Sequence, residues 1–140
     1  RKFHEGQVDK CGQPYWIHPF TVGMRGFHNN DLSHIIVGLL HDIPEDTNIS
    51  VKMLESLIEL TDEEIEALNL LTRNKNTSYD EYINSIINSN NTIAISVKLS
   101  DLVHNSGLDR FKDAQIPITS TDEKRAEKYR HMINHILREV

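Results

Sequence analysis

A single cysteine, Cys11, is the whole thiol content of the 140 residues, so no disulfide forms within the chain. That excludes the disulfide-stapled secreted scaffolds and makes a reducing compartment, the cytoplasm, the expected location. A chain of this length buries on the order of 70% of the surface its unfolded form exposes, so one core holds without such staples. One domain over residues 1–140 is the expected organisation. Long apolar runs are also missing. Nothing approaches the roughly 18 residues of a membrane span, mean hydropathy is −0.47, and neither a membrane nor a signal segment is expected. Positive charge is scarce: 15 Lys+Arg face 21 Asp+Glu, a net charge of −6. A domain that grips nucleic acid clusters Lys and Arg on one face, so nucleic acid is not an expected partner. Repeats and low-complexity tracts are absent, and nothing in the pattern opposes a homo-oligomer. What the chain does have is eight histidines.

Strand signals are as scarce as helix signals are plentiful. Thr61-Asp-Glu-Glu64, Ser78-Tyr-Asp-Glu81 and Ser120-Thr-Asp-Glu123 each match a capping box, where the hydroxyl takes one free backbone N–H and the Glu reaches back for another. Each precedes apolar residues at three- and four-residue steps: Ile65, Leu68 and Leu71; Tyr79, Tyr82, Ile83, Ile86 and Ile87; Tyr129, Met132, Ile133, Ile136 and Leu137. Asp31 and Ser50 are candidate caps for helices over about 32–43 and 51–59. The run Thr92–Asn105 is rich in β-branched residues but too long for an ordinary strand. It reads as a buried helix ending near Gly107, a suitable C′ residue. Arg1–Gln7 resembles the last turns of a helix that begins before Arg1, and 73–77 and 112–120 read as long inter-helix loops. The fold class expected is all-α, a single domain of six to eight helices.

His41-Asp42 closes the most apolar helix, after Ile35–Leu40, where charged groups are costly unless paired or bound to metal. Asp101 raises the same question between Leu99 and Leu102, with Lys98 three residues back as a structural partner and His104 as another. His18 precedes Pro19. Proline favours the first helical position, so His18 falls near a helix start with its ring free to aim inward. Two imidazoles and two carboxylates form a mixed N/O set suited to Mn²⁺, Fe²⁺, Zn²⁺ or Mg²⁺. Consecutive helical residues point about 100° apart, so His41 and Asp42 share one ion only if it lies beside the helix. Such a site, with positions left for water and substrate oxygen, suits hydrolysis of phosphate esters or anhydrides.

Glu45 and Asp46 follow at i+4, where Pro44 disrupts a regular helix and is expected to tip both acids toward the site, as general bases or orienting groups. Asn105 lies one turn beyond Asp101 on the same stripe. Each of these has a plainer alternative: solvated acids after a helix for Glu45 and Asp46, a helix-terminal residue for Asn105, surface cations for Lys10, Arg73, Lys98 and Arg110. His131 and His135 have metal spacing at i, i+4, but no acid lies between them on their terminal helix. Cys11 reads as an inert loop thiol.

Four segments together resemble the HD superfamily of metal phosphohydrolases, and more narrowly the hydrolase domain of the RelA/SpoT alarmone enzymes and their stand-alone relatives. They are Gly6–Pro19 (GQVDKCGQPYWIHP), Leu39–Thr47 (LLHDIPEDT), Leu71-Thr-Arg73 with Tyr79 and Tyr82, and Val97–Asn105 (VKLSDLVHN). The resemblance covers nearly the whole chain. It implies an all-α HD-domain fold and one Mn²⁺ held by His18, His41, Asp42 and Asp101. It further implies Glu45 and Asp46 as the acidic pair near the attacking water, Asn105 in a nucleotide pocket, and Lys10 near substrate phosphate. The reaction it implies is removal of the 3′-pyrophosphate of guanosine tetra- or pentaphosphate. Nothing resembles the synthetase half of the long alarmone enzymes, so degradation is the expected direction. One position departs: where those hydrolases carry a basic residue against the guanine, just before Lys10, this chain has Asp9. A carboxylate there supplies no cation–π contact and is expected to repel an anionic ligand.

Overall fold

Helix starts in this protein are written as side-chain caps, and the computed structural model, which describes residues 1–140, shows most of them in place. Asp31 accepts the backbone N–H of His34 and opens α2 (Leu32–Leu40), preceded by α1 (Ile17–Met24). The short α3 (Ile43–Asp46) follows, and Ser50 caps α4 (Val51–Leu57) through the N–H of Met53. The capping boxes of Thr61 and Ser78 open α5 (Asp62–Leu71) and α6 (Tyr79–Asn88), both complete. Asn91 caps α7 (Thr92–Ser106); then come the single-turn α8 (Asp109–Asp113) and the long α9 (Ser120–Glu139). No strand forms, apart from one isolated antiparallel bridge between Val8 and Pro14. The architecture is all-α.

Several boundaries differ from those the sequence predicts, each for a local reason. The third capping box sits one residue earlier, with Thr119 as cap and Asp122 as its partner. Asp122 accepts both the N–H and the hydroxyl of Thr119, which a Glu-based box at Ser120 would forgo. The helix expected over 32–43 ends at Leu40, and that expected over 51–59 ends at Leu57. Arg1–Gln7 holds one 3-10 turn, Lys2–His4, rather than the end of an α-helix. Pro19 is the third residue of α1 and not its first, because the helix already starts at Ile17. Gly107 is the C-cap of α7 with extended backbone (φ −74°, ψ 127°), not a left-handed C′ residue. The segment predicted as loop from 112 begins with the last turn of α8.

The core gathers around α7, which packs on α9, α1, α2 and α5. Val22, Val37, Leu54, Leu68, Ile83, Ile86, Val97, Leu102 and Ile136 are fully buried there. Burying each side chain contributes roughly 1.5–3 kcal/mol, which offsets the cost of ordering the short helices. α1 and α2 meet where Gly23 faces Gly38, an approach that admits no side chain. A Cβ on Gly38 would lie 2.7 Å from Gly23 Cα and 2.9 Å from Gly23 N.

The capping boxes yield a first testable result. Thr61 Oγ1 accepts the N–H of Glu64 while Glu64 accepts the N–H of Thr61 and the hydroxyl of Ser33. Thr61→Ala removes one of these bonds and is expected to lower stability by about 1 kcal/mol. Urea denaturation reads it as a lower midpoint at unchanged slope; an unchanged midpoint would show the cap idle.

Candidate metal centre

Three parts of the chain deliver side chains to one point. The first is the entry to α1. Residues 7–15 fold back on themselves through the bonds Asp9 N–H to Gln13 O (2.8 Å) and Tyr15 N–H to Gln7 O (2.9 Å), which aim Tyr15 and His18 inward. The second is the break between α2 and α3. α2 stops at Leu40 and α3 starts at Ile43, yet His41 (φ −57°, ψ −33°) and Asp42 (φ −89°, ψ −11°) between them keep helical dihedrals, so their side chains start out divergent and their donor atoms meet beside the chain, as the sequence predicts. Pro44 occupies the first turn of α3. The third is the middle of α7, where Asp101 is buried.

The donor atoms converge closely. His18 Nε2 lies 3.3 Å from Asp42 Oδ2 and 3.1 Å from Asp101 Oδ1; His41 Nε2 lies 3.1 Å from Asp42 Oδ1 and 3.8 Å from Asp101 Oδ1. His18, His41 and Asp42 present ligand atoms all within 4.8 Å of one another. Ligands held at about 2.0–2.2 Å from a single cation are themselves roughly 3–3.6 Å apart; three of these four separations fall in that range and the fourth, from His41 to Asp101, is slightly wider. One buried atom points to what is missing: His41 Nε2 has no hydrogen-bond partner. Its other nitrogen, Nδ1, donates to Gly38 O at 2.6 Å, which fixes the ring and leaves the Nε2 lone pair facing the carboxylates. The donor set fits a divalent cation.

The electrostatics agree. Burial opposes charge on His18, but hydrogen bonds to Asp101 and Asp42 outweigh it and hold the imidazole up at about 9. Burial also opposes ionisation of Asp42, yet His41 and His18 draw it down to about 2. Asp101 is held well below the carboxylate range, against its burial, chiefly by Lys98 and then by the two imidazoles. Two buried carboxylates thus call for positive charge in the pocket, and protons on the imidazoles supply it when no cation does. The predicted Lys98–Asp101 pair is present at 2.8 Å, with the ammonium lying 5.1 Å from the ring centre of Tyr82. A bond from Asp101 to His104 is not formed. His104 Nδ1 instead lies 2.6 Å from His18 Nδ1, and burial with the nearby charges of His18 and Arg110 pushes His104 down to about 4, so the neutral ring orients His18.

The remaining predicted residues fall around this point. Asn105 Nδ2 donates to Asp101 Oδ1 at 2.7 Å, and its side chain also lines a cavity of about 440 Å³ that opens beside His18. Lys10 lines the same cavity. Glu45 and Asp46 are solvent-accessible at the end of α3; Glu45 accepts the backbone N–H of Arg73, and partial burial pushes both carboxyl groups above their ordinary range. His135 bonds to Asn84 at 3.0 Å, and no second metal cluster forms with His131. Cys11 is buried, and burial pushes its thiol up, away from reactivity.

Three residues at the site have contacts that the sequence does not predict. Tyr15 donates to Asp42 Oδ2 at 2.7 Å, His104 orients His18, and Arg110 pairs with Asp9 at 3.0 Å. Tyr15 and His104 lay within the resembling segments, but only the folded loop shows what they touch. The pairing also corrects the expectation for Asp9, whose carboxylate is neutralised by Arg110 and does not stand free to repel a ligand.

No protein-family model matches the chain. Among curated proteins, one from Mycoplasma genitalium named probable guanosine-3′,5′-bis(diphosphate) 3′-pyrophosphohydrolase is 32% identical over 119 residues, covering 75% of this chain and 16% of the relative. One of the same name from Synechocystis sp. is 33% identical over 110 residues, 73% of this chain and 14% of the relative. The chain is related to the HD-type hydrolase domain of RelA/SpoT enzymes. A protein from Myxococcus xanthus named GTP pyrophosphokinase is 44% identical over 57 residues, 40% of this chain and 8% of the relative. The chain thus spans less than a fifth of the length of these relatives. No helix is long and apolar enough to cross a membrane.

Proposed function

We propose that residues 1–140 form a single Mn²⁺-dependent pyrophosphohydrolase domain that removes the 3′-pyrophosphate of guanosine 3′,5′-bis-diphosphates. The observation that carries this reading is the unpartnered His41 Nε2, set among His18, Asp42 and Asp101, with His18 also lining a cavity of about 440 Å³. In this reading His18, His41, Asp42 and Asp101 hold the ion, which when bound supplies Lewis acidity and positive charge against phosphate. Lys10 binds phosphate oxygens from the cavity wall, and Asn105 holds Asp101 in place while its remaining amide capacity meets the ligand. Glu45 and Asp46, whose carboxyl groups sit above their ordinary range, accept the proton of the attacking water. The water oxygen bonds to phosphorus, the P–O3′ bond breaks, and the 3′ oxygen leaves with a proton as pyrophosphate departs. Tyr15 keeps Asp42 from turning away through its 2.7 Å bond.

The lack of a basic residue just before Lys10 favours a second reading, in which the same site acts on another nucleoside phosphate. Pyrophosphate release from a panel of guanosine and adenosine polyphosphates, with Mn²⁺ and after chelation, tests both readings. The expected result is release from guanosine 3′,5′-bis-diphosphate with Mn²⁺, lost on chelation and restored by Mn²⁺. Turnover confined to another nucleotide would support the second reading, and tight binding without product would make the domain a sensor.

A further inference from the structure

The wall of the cavity beside His18 is mixed in chemistry. Tyr15, His18 and Asn105 touch the donor cluster; Val8, Leu108, Phe111 and Tyr129 supply apolar and aromatic surface, and the charged groups are Lys10, Asp122, Arg125 and the Asp9–Arg110 pair. Asp9 has little acceptor capacity to offer a ligand. Its Oδ1 accepts the backbone N–H groups of Cys11 (2.8 Å) and Gln13 (2.9 Å), closing a turn that Gly12 completes at φ +74°. Its Oδ2 accepts from Arg110 Nη1 at 3.0 Å. Asp9 is therefore an anchor, and what it anchors is the guanidinium of Arg110.

The side chain of Arg110 makes no other hydrogen bond to the protein; its Nε is shut off from solvent, and the remaining Nη hydrogens are the donors left for a ligand. A guanidinium carries five donors in a planar fork, of which Asp9 occupies one. The carboxylate beside it cancels its net charge, so the pair has little to offer a phosphate, which would meet Asp9 as well as Arg110. An uncharged planar group with two adjacent acceptors fits better: it satisfies the free donors at no Coulombic penalty and lies against apolar and aromatic walls. Among nucleobases, guanine presents this pattern through O6 and N7, whereas adenine places an amino donor at the same position and would oppose the fork.

We propose that Arg110, positioned by Asp9, recognises the acceptor edge of a 6-oxopurine and sets the base preference of the site. The inference rests on the nucleotide reading above, which it deepens by placing a cation from α8 where the loop before Lys10 has none. Asp9 acts as a positioning residue and Arg110 as the contact.

Calorimetric binding of GDP, IDP and ADP to the Mn²⁺-loaded protein tests it without requiring turnover. GDP and IDP, which share O6 and N7, are expected to bind similarly, and both at least about tenfold more tightly than ADP. Arg110→Lys keeps the ion pair but not the fork and is expected to bring the three affinities within about twofold of one another. Asp9→Asn retains the acceptor for Cys11 and Gln13 while freeing the guanidinium, and is expected to give an intermediate preference. Melting curves and circular dichroism confirm that each variant is folded; a merely structural role for the pair would weaken all three ligands together and leave their ratio unchanged. Equal affinities in the wild type, or a wild-type ratio in folded Arg110→Lys, would overturn the assignment. If the base preference holds while guanosine 3′,5′-bis-diphosphate is not hydrolysed, the catalytic reading fails and this one stands.

Discussion

Asp42→Asn is expected to lose pyrophosphate release by about 10³-fold or more while the protein melts, in chelator, close to the wild-type temperature. The size follows from what the substitution removes. Asp42 approaches both imidazoles, at 3.3 and 3.1 Å, so its charge is shared across the proposed ligand set. Losing a ligand that holds a Lewis-acid cation forfeits several kcal/mol of transition-state stabilisation, and each 1.36 kcal/mol is a factor of ten in rate. The loss of stability is expected to be small because Asn keeps an oxygen for the Tyr15 hydroxyl, and the protonated His18 still has Asp101 Oδ1 at 3.1 Å. The Asp42 side chain is 16% exposed, and its charge also repels that of Asp101. Asp101→Asn is a poorer test: it abandons the buried Lys98, held at 2.8 Å, and breaking such a pair costs about 3–5 kcal/mol. The measurements are steady-state turnover, bound Mn²⁺ per chain after desalting, and the melting midpoint in EDTA. Wild-type turnover in folded Asp42→Asn would remove the proposed metal centre.

Much of this geometry is legible in the chain, for identifiable reasons. Helix starts were readable because a cap is a local event: Asp31, Ser50, Thr61 and Ser78 each bond a backbone N–H three residues on. The third box forms one residue before Ser120 because Thr119 and Asp122 offer the same chemistry in the adjoining register. The apolar period of Ile35–Leu40 continues to Ile43 although α2 ends at Leu40, because periodicity does not register where one helix gives way to the next. His41 and Asp42 keep helical dihedrals through that junction, and their donor atoms meet beside the chain at 3.1 Å. His18, His41, Asp42 and Asp101 were individually visible as polar groups in apolar company, and the structure brings them together. Tyr15, His104 and Arg110 were not visible as a set, since their contacts span 27, 86 and 101 residues of chain and no local pattern encodes them. The pairing of Asp9 is hidden for the same reason, since its partner Arg110 lies on α8.

Gly38→Ala should produce the largest loss of stability among single-methyl changes, and should weaken the metal centre with it. The added carbon would lie 2.7 Å from Gly23 Cα, 2.9 Å from Gly23 N and 3.2 Å from Val22 C, all of them backbone atoms that no rotamer change moves aside. α1 must therefore draw back from α2. Overpacking of this kind costs about 1–3 kcal/mol, and more where backbone meets backbone. The same displacement reaches the site, because His18 rides on α1, while Gly38 O accepts the Nδ1 proton of His41 at 2.6 Å. The two imidazoles are thus held in register by a helix contact that only a glycine pair permits, and separating the helices spreads donors that need to stay roughly 3–3.6 Å apart to share an ion. Thermal unfolding with and without Mn²⁺ reads both effects: a lower midpoint in chelator, and a smaller upward shift when the metal is added. A lowered midpoint with an undiminished Mn²⁺ shift would show that the site tolerates the displacement. A normal midpoint would show that α1 and α2 have more room than their glycines imply.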